Sequence, residues 1–407
     1  MLKINLKKYG ASLGVIGNIL EWYNFALFMP FLHILSKEFF PLENAVHREL
    51  LSFLAMSVGL FMRPLGSAIF GPIGDKLGRS KAISISILLM AIPTVSIGLL
   101  PNYHQIGVCA PVLLIFFRAL QGISLGGEYV TAMVHLVEQA PPNKRGFFGS
   151  LSDAGNQIGV LLSGQALVLL SSFFSSKEIY FFAWRIPFLF AIVLVPFAFL
   201  IPSKISNKKN IQYESIFKML AVYRKEAICT IAITAFGAVC FYSLLTFLPY
   251  YLVSNHILSL KEATACSVQS TFIMVVFILV GGYLSDIYSK KFFIALGIVG
   301  VSFAMCFMFL GEVTSNQWQV FQLICGGFLG AYYSSRAAFF SGTFPKRVRC
   351  TVVSLSMSLA QAIFGGLTPI LMGRIIRISP ALVAFVVTII AIGALTALRE
   401  IKADRST

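Results

Sequence analysis

The feature that most constrains this chain is the recurrence of long apolar runs that contain no Asp, Glu, Lys or Arg. They cover residues 82–117, 154–176, 227–260, 263–285, 292–311 and 351–373. About 20 apolar residues suffice for a helix to cross a bilayer. The runs are continuous rather than alternating, which excludes a β-barrel, and inside lipid each backbone polar group must be satisfied within its own segment. Twelve spans are expected, near residues 11–34, 50–73, 82–100, 109–137, 147–173, 183–202, 227–254, 263–285, 292–311, 318–342, 351–373 and 380–398. With 57% of residues hydrophobic and 12% charged, most of the chain belongs in lipid.

The net charge of +16 raises the question of a nucleic-acid partner, and the positions of the cations answer it. With the N-terminus in the cytoplasm, Lys3, Lys7, Lys8, Lys76, Arg79, Lys81, Lys144, Arg145, Lys290, Lys291, Lys346, Arg347 and Arg349 fall on the cytoplasmic side. The opposite connections carry fewer: Lys37, Arg48, Lys177, Arg185, Lys261, Arg374 and Arg377. That asymmetry is the positive-inside rule, so topology accounts for the charge and no nucleic acid is expected. The seven cysteines are scattered and mostly within apolar runs, which implies neither a disulfide framework nor a metal site. Glu21 and Asn24 in the first run, without a small-residue cleavage site, argue for a retained first span. Both termini are then cytoplasmic.

The basic stretch 203–226 divides the spans into an N-terminal six-helix bundle, residues 1–202, and a C-terminal six-helix bundle with a short tail, residues 227–407. After span two the chain places Gly74, Asp75, Lys76, Gly78, Arg79 and Lys81. After span eight it places Gly282, Ser285, Asp286, Ser289, Lys290 and Lys291. Asp75 and Asp286 occupy equivalent places in the two halves, an internal repeat of the kind found in transporters.

The loop at Asp75, Lys76, Gly78 and Arg79 resembles the signature loop of the major facilitator superfamily. Further stretches resemble its metabolite:proton symporter branch, which includes proline/betaine, shikimate, citrate and α-ketoglutarate transporters. They are Gly17 to Phe25 with Glu21 and Asn24, Arg63 to Gly66, Phe117 to Gly122, Gly126 to Glu128, Glu138 with Pro141, Arg145 with Gly146, and Trp184 to Phe188. The C-terminal half carries less of the likeness, through the Asp286 loop and Pro345 to Arg349. The resemblance implies an all-α membrane protein of two pseudo-symmetric six-helix bundles, a monomer, energised by the proton gradient without a cofactor. The family commonly has an aspartate where this chain has Asn24, and a neutral amide carries no proton. Coupling then falls to Glu21 or Asp153, or the chain is a uniporter or antiporter instead of a proton symporter.

Charged groups inside spans cost about 2.5–3.5 kcal/mol each at a helix centre, so they should face protein or water. Glu21, Arg63, Arg118, Glu128, Asp153 and Arg336 are such groups. Gly14, Gly17, Glu21, Asn24 and Phe28 share one helical stripe, as do Arg118, Gln121, Gly122, Leu125 and Tyr129, while Asp153, Asn156 and Gln157 form a third set. An arginine such as Arg118 facing a central cavity can bind a substrate carboxylate or tune a neighbouring acid. Tyr242, Gln269, Tyr332, Arg336 and Gln361 are the cavity candidates of the second half, and Arg336 has the alternative of snorkelling to the interface. Asp75, Lys76, Gly78, Arg79, Arg145, Asp286 and Lys290 are candidates for conformational gating, with Asp75 pairing to a cation such as Arg145 and Asp286 doing the equivalent.

No phosphate-cradling loop, metal-ligand spacing or nucleophile with a partner base is found, so no enzyme is expected. The expected function is proton-coupled uptake of a small carboxylate-bearing or zwitterionic metabolite by alternating access across the inner membrane. A proton-coupled exporter of amphipathic compounds and a nontransporting sensor with the same fold are the competing readings. A wide aromatic cavity would favour the former, an added soluble signalling domain the latter.

Overall fold

In a computed structural model the chain is described over residues 6–77, 79–194, 216–311, 315–346 and 348–401. The side chains of residues 6–14, 45, 71–77, 79–84, 127, 128, 131, 194, 216–218, 315 and 316 lie outside that description. So do most of the 203–226 linker and, of the first signature loop, Gly78 and the side chains of Asp75, Lys76 and Arg79.

The described residues contain helices and no strand. In the first half the principal helices are α1 (Leu6–Ala26), α2 (Phe28–Phe39), α3 (Ala45–Phe61), α4 (Arg63–Leu77), α5 (Arg79–Leu99), α6 (Cys109–Gln139) and α7 (Arg145–Phe173). The second half has α8 (Arg224–Tyr242), α9 (Leu248–Ser254), α10 (Leu260–Ile287), α11 (Lys290–Leu310), α12 (Ser315–Thr343), α13 (Arg349–Ala360), α14 (Gly366–Ile378) and α15 (Pro380–Glu400). Among the described residues, nine stretches are long and apolar enough to cross a membrane, and Ile85–Leu99 is a shorter one.

Polar side chains set the helix starts where the chain turns. Asn44 accepts from the Val46 and His47 N–H groups, and Ser259 and Glu262 cap α10 reciprocally. Between α8 and α9 the ladder widens into a π-helical turn at Ser243–Phe247, and between α13 and α14 into another at Gln361–Gly365. Such turns re-aim side chains and recur at functional sites.

Glycines let the helices cross closely. A Cβ on Gly122 of α6 would stand 2.0 Å from the Gly59 carbonyl oxygen of α3, and one on Gly126 would stand 2.1 Å from that of Arg63. The first half meets the second along α7 against α10 and α12, and along α3, α4 and α6 against α13 and α14. Where these seams converge, the interior turns from apolar to charged.

Candidate functional site

The charged interior is built from both halves. α7 turns Asp153, Asn156 and Gln157 inward, α6 supplies Tyr129, α4 opens with Arg63, and α12 brings Tyr333 and Arg336 across from the other side. Trp22, Phe241, Met357 and Gln361 complete the wall of one small cavity. The Arg336 guanidinium donates to Asp153 Oδ1 at 2.5 Å and to the Tyr129 hydroxyl at 2.6 Å. That hydroxyl itself donates to the same Asp153 oxygen at 2.8 Å. Arg336 and Asp153 are only 3% and 1% exposed, so this ion pair is buried and ties the two halves together. Among the described residues its second acceptor, Asp153 Oδ2, has no hydrogen-bond partner, nor do Arg336 Nε, Asn156 Oδ1, Gln157 Oε1 or Gln361 Oε1.

Arg63 is a second buried cation on this cavity. Among the described residues its Nε and Nη1 have no hydrogen-bond partner, and its guanidinium lies 5.8 Å from the Trp22 ring centroid. Buried polar groups are normally satisfied. A cavity with unused donors and acceptors on several walls is therefore built to hold something polar.

The structure brings together part of the expected set. Arg63, Asp153, Asn156, Gln157, Arg336 and Gln361 line the cavity. Arg336 does not snorkel; α12 is turned so that its side chain points between the halves. Arg118, by contrast, is hydrogen-bonded within the first half, with Tyr242 of the second half in its electrostatic reach. Its guanidinium donates to the Phe25 and Met56 carbonyls and to Gln121 Oε1, with the Phe25 and Phe28 rings 4.4 and 4.5 Å away. It ties α1, α3 and α6 together and is not on the cavity wall. Gln121 continues the tie by donating to Thr94 at 2.7 Å.

Glu21 is buried and accepts from Ser86 at 3.4 Å, within the first half. Asn24 donates to the Leu20 carbonyl of its own helix. Tyr242 is fully buried, and the Tyr332 hydroxyl is spent on the Ile233 carbonyl. Gln269 is exposed and accepts from Gln319 at 2.9 Å, away from the cavity. The Glu128 side chain lies outside the described residues.

Contacts between the halves close the molecule on either side of the cavity. At the end carrying the Asp286 loop, the Asp286 carboxylate accepts from the backbone N–H groups of Gly146 at 2.6 Å and Phe147 at 2.8 Å. Among the described residues the partner found for Asp286 is thus a helix start, where the sequence led one to expect a cation. The first N–H groups of α7 have no intrahelical acceptor, and its dipole favours an anion there. Beside it, Arg349 donates to Glu138 at 2.8 Å. At the opposite end Arg377 pairs with Glu49 at 2.5 Å. Arg145 is half-buried and heads α7, while Lys290 contributes its carbonyl to Ser335. The Glu138–Arg349 and Glu49–Arg377 pairs were not foreseen. Their partners lie 211 and 328 residues apart, and no local spacing reports such pairing.

Helical halves meeting at a buried, charged cavity, with polar locks toward both ends, define a membrane transporter of the alternating-access class. The family described as Sugar (and other) transporter matches residues 11–205, and the one described as Major Facilitator Superfamily matches residues 258–406. A Staphylococcus aureus (strain COL) protein named for proline/betaine transport is 32% identical over 374 residues, covering 87% of this chain and 79% of the relative. A citrate-proton symporter of Klebsiella pneumoniae is 28% identical, covering 90% and 86% respectively. The xylose transporter XylE from E. coli, in a partially occluded inward open conformation, superimposes with a TM-score of 0.77 over 98% of both chains at 14% identity, a likeness of fold. The chain belongs to the major facilitator superfamily, in its metabolite:proton symporter family. It is a multi-pass membrane transporter and not an enzyme.

Proposed function

We propose that the protein carries a small carboxylate-bearing metabolite inward together with a proton, with Asp153 as the proton-carrying group and Arg336 as its switch partner. The observation that carries this reading is the buried Arg336–Asp153 pair, because it joins a titratable group on one half to a cation on the other. While Asp153 is charged it occupies Arg336. Protonation removes that charge, and the guanidinium becomes available to a substrate carboxylate, with which it makes strong charge-assisted bonds. Substrate and proton then favour the same state, which is the requirement for symport.

Asn24 carries no proton, and Glu21 accepts from Ser86 within its own half, while Asp153 meets a cation of the other half, which supports giving the role to Asp153. The citrate-proton symporter of Klebsiella pneumoniae supports both the coupling and the substrate chemistry by family relation. The Asp286 end is read as cytoplasmic, and the protein as a monomer in the cell inner membrane.

Asp153→Asn is the test. In proteoliposomes the variant should lose accumulation driven by an imposed pH gradient while retaining exchange of labelled for unlabelled substrate. Gradient-driven accumulation equal to that of the unaltered protein would refute the assignment.

A further inference from the structure

We infer that Tyr129 is the positioning residue of the coupling site: its hydroxyl holds the Asp153 carboxylate whenever the two halves part, and so sets the pH range over which that carboxylate takes up and gives up its proton. The inference rests on the proposed role of Asp153 and adds the residue that regulates it.

The tyrosine and the arginine differ in where they are attached. Tyr129 stands on α6 and Asp153 on α7, consecutive helices of the first half. These helices are packed together, since a Cβ on Gly149, one turn before Asp153, would stand 3.1 Å from the Val137 side chain. Arg336 stands on α12 of the second half. When the halves part to expose the cavity, α12 carries the guanidinium away and leaves the tyrosine in place. Asp153 exchanges its proton with bulk water in those open states, so its partner at that moment is Tyr129 and not Arg336.

The hydroxyl is placed for this role. It is buried, donates its one proton to Asp153 Oδ1 at 2.8 Å and accepts from Arg336 at 2.6 Å. Arg336 uses the same Oδ1, so among the described residues Oδ2 has no partner and is the oxygen left to take the proton. Burial penalises a carboxylate's charged form, and a hydrogen bond to the anion opposes that penalty. A neutral phenol gives this support without fixing a charge beside Asp153. A cation attached to the first half would hold the carboxylate ionised in every state and prevent loading.

The other groups facing the pair do not replace the tyrosine. Tyr332 and Tyr333 act on Asp153 by charge, but their hydroxyls donate to the Ile233 and Gly237 carbonyls at 2.7 and 3.3 Å, and both leave with α12. Arg63 of α4 acts on Tyr129 by charge, and Glu21 of α1 acts on Arg63. On α10, which packs against α7, Asp286 is engaged at the α7 start.

The test is an infrared titration of the purified protein in lipid, without substrate, following the C=O band of protonated carboxyl groups as pH is raised. The Asp153 band is the one that Asp153→Asn removes. Tyr129→Phe keeps the ring and removes only the hydroxyl. It should move the midpoint of that band upward by about one to two pH units, the size expected for one lost hydrogen bond to an anion. Arg336→Gln withdraws the cation in every state, and adding Tyr129→Phe to it should again move the midpoint upward, which separates the tyrosine's effect from that of the ion pair. A tyrosine with a structural role alone would lower the thermal unfolding midpoint and leave the titration where it was. An Asp153 band whose midpoint Tyr129→Phe leaves unmoved overturns the inference and spares the proposed proton carrier. A titration in which Asp153→Asn removes no band overturns both.

Discussion

Arginines of the same type and nearly the same burial do different things here, and their partners tell them apart. Among the described residues each of the three leaves its Nε without a partner, but Arg118 donates to the carbonyls of two neighbouring helices and to a glutamine, Arg336 neutralises Asp153, and Arg63 leaves Nη1 without a partner as well. Arg118→Ala should therefore lower thermal stability whether or not substrate is present, whereas Arg63→Ala should leave the fold intact and remove the response to ligand. Unfolding curves with and without citrate distinguish the two. For the buried pair, removing one partner strands the other charge, a loss of about 3–5 kcal/mol in comparable sites. Arg336→Ala and Asp153→Ala should each be more destabilising than the double variant, and a double-mutant cycle on unfolding measures that coupling. The sequence announced these groups as charges in apolar spans, and for Arg63, Asp153 and Arg336 that was enough to reach the cavity. It could not separate Arg118 from them. Helical angle reports which residues share a face but not whether the face meets a neighbouring helix or the central cavity.

At the scale of helices, most of the architecture was legible because an apolar run of bilayer length admits few alternatives in lipid. The π-helical turns at Ser243–Phe247 and Gln361–Gly365 were not legible. They arise from packing, as where a Cβ on Gly365 would stand 2.8 Å from the Tyr242 ring. The contact of Asp286 was half legible: its place in the repeat singled it out, while the target seen among the described residues, the start of α7, has no local signal in the sequence. The seam there is tight, since a Cβ on Gly282 would stand 2.2 Å from Ser150 Oγ. Asp286→Asn should loosen this end by weakening a charge-assisted cap, and Gly282→Leu should prise it open by bulk. Maleimide labelling of a cysteine introduced at Ser150, in a background without native cysteines, should accelerate in both variants. Unchanged labelling would show that the seam is held by other contacts.

Across the whole molecule, the contacts between the halves seen among the described residues are unequal at the two ends. The Asp286 end combines a helix cap with the Glu138–Arg349 pair, in which Arg349 is 6% exposed. The opposite end has the Glu49–Arg377 pair, with Arg377 44% exposed. A partly exposed pair contributes about 0–1 kcal/mol, so it is the weaker lock. Glu49→Gln should change overall stability little and shift the population toward states open at that end. Spin-label distances across the Glu49–Arg377 gap should lengthen in the variant and shorten again in saturating substrate. Glu138→Gln should act at the other end and produce no such lengthening.

The account turns on one claim, that substrate and proton cross together through the Asp153–Arg336 site. External pH recorded in a weakly buffered suspension of proteoliposomes, during citrate and succinate pulses adjusted to the bath pH, tests it directly. The account predicts alkalinisation with the unaltered protein and none with Asp153→Asn. Uptake of labelled citrate or succinate without a pH change, or alkalinisation undiminished in Asp153→Asn, would contradict it.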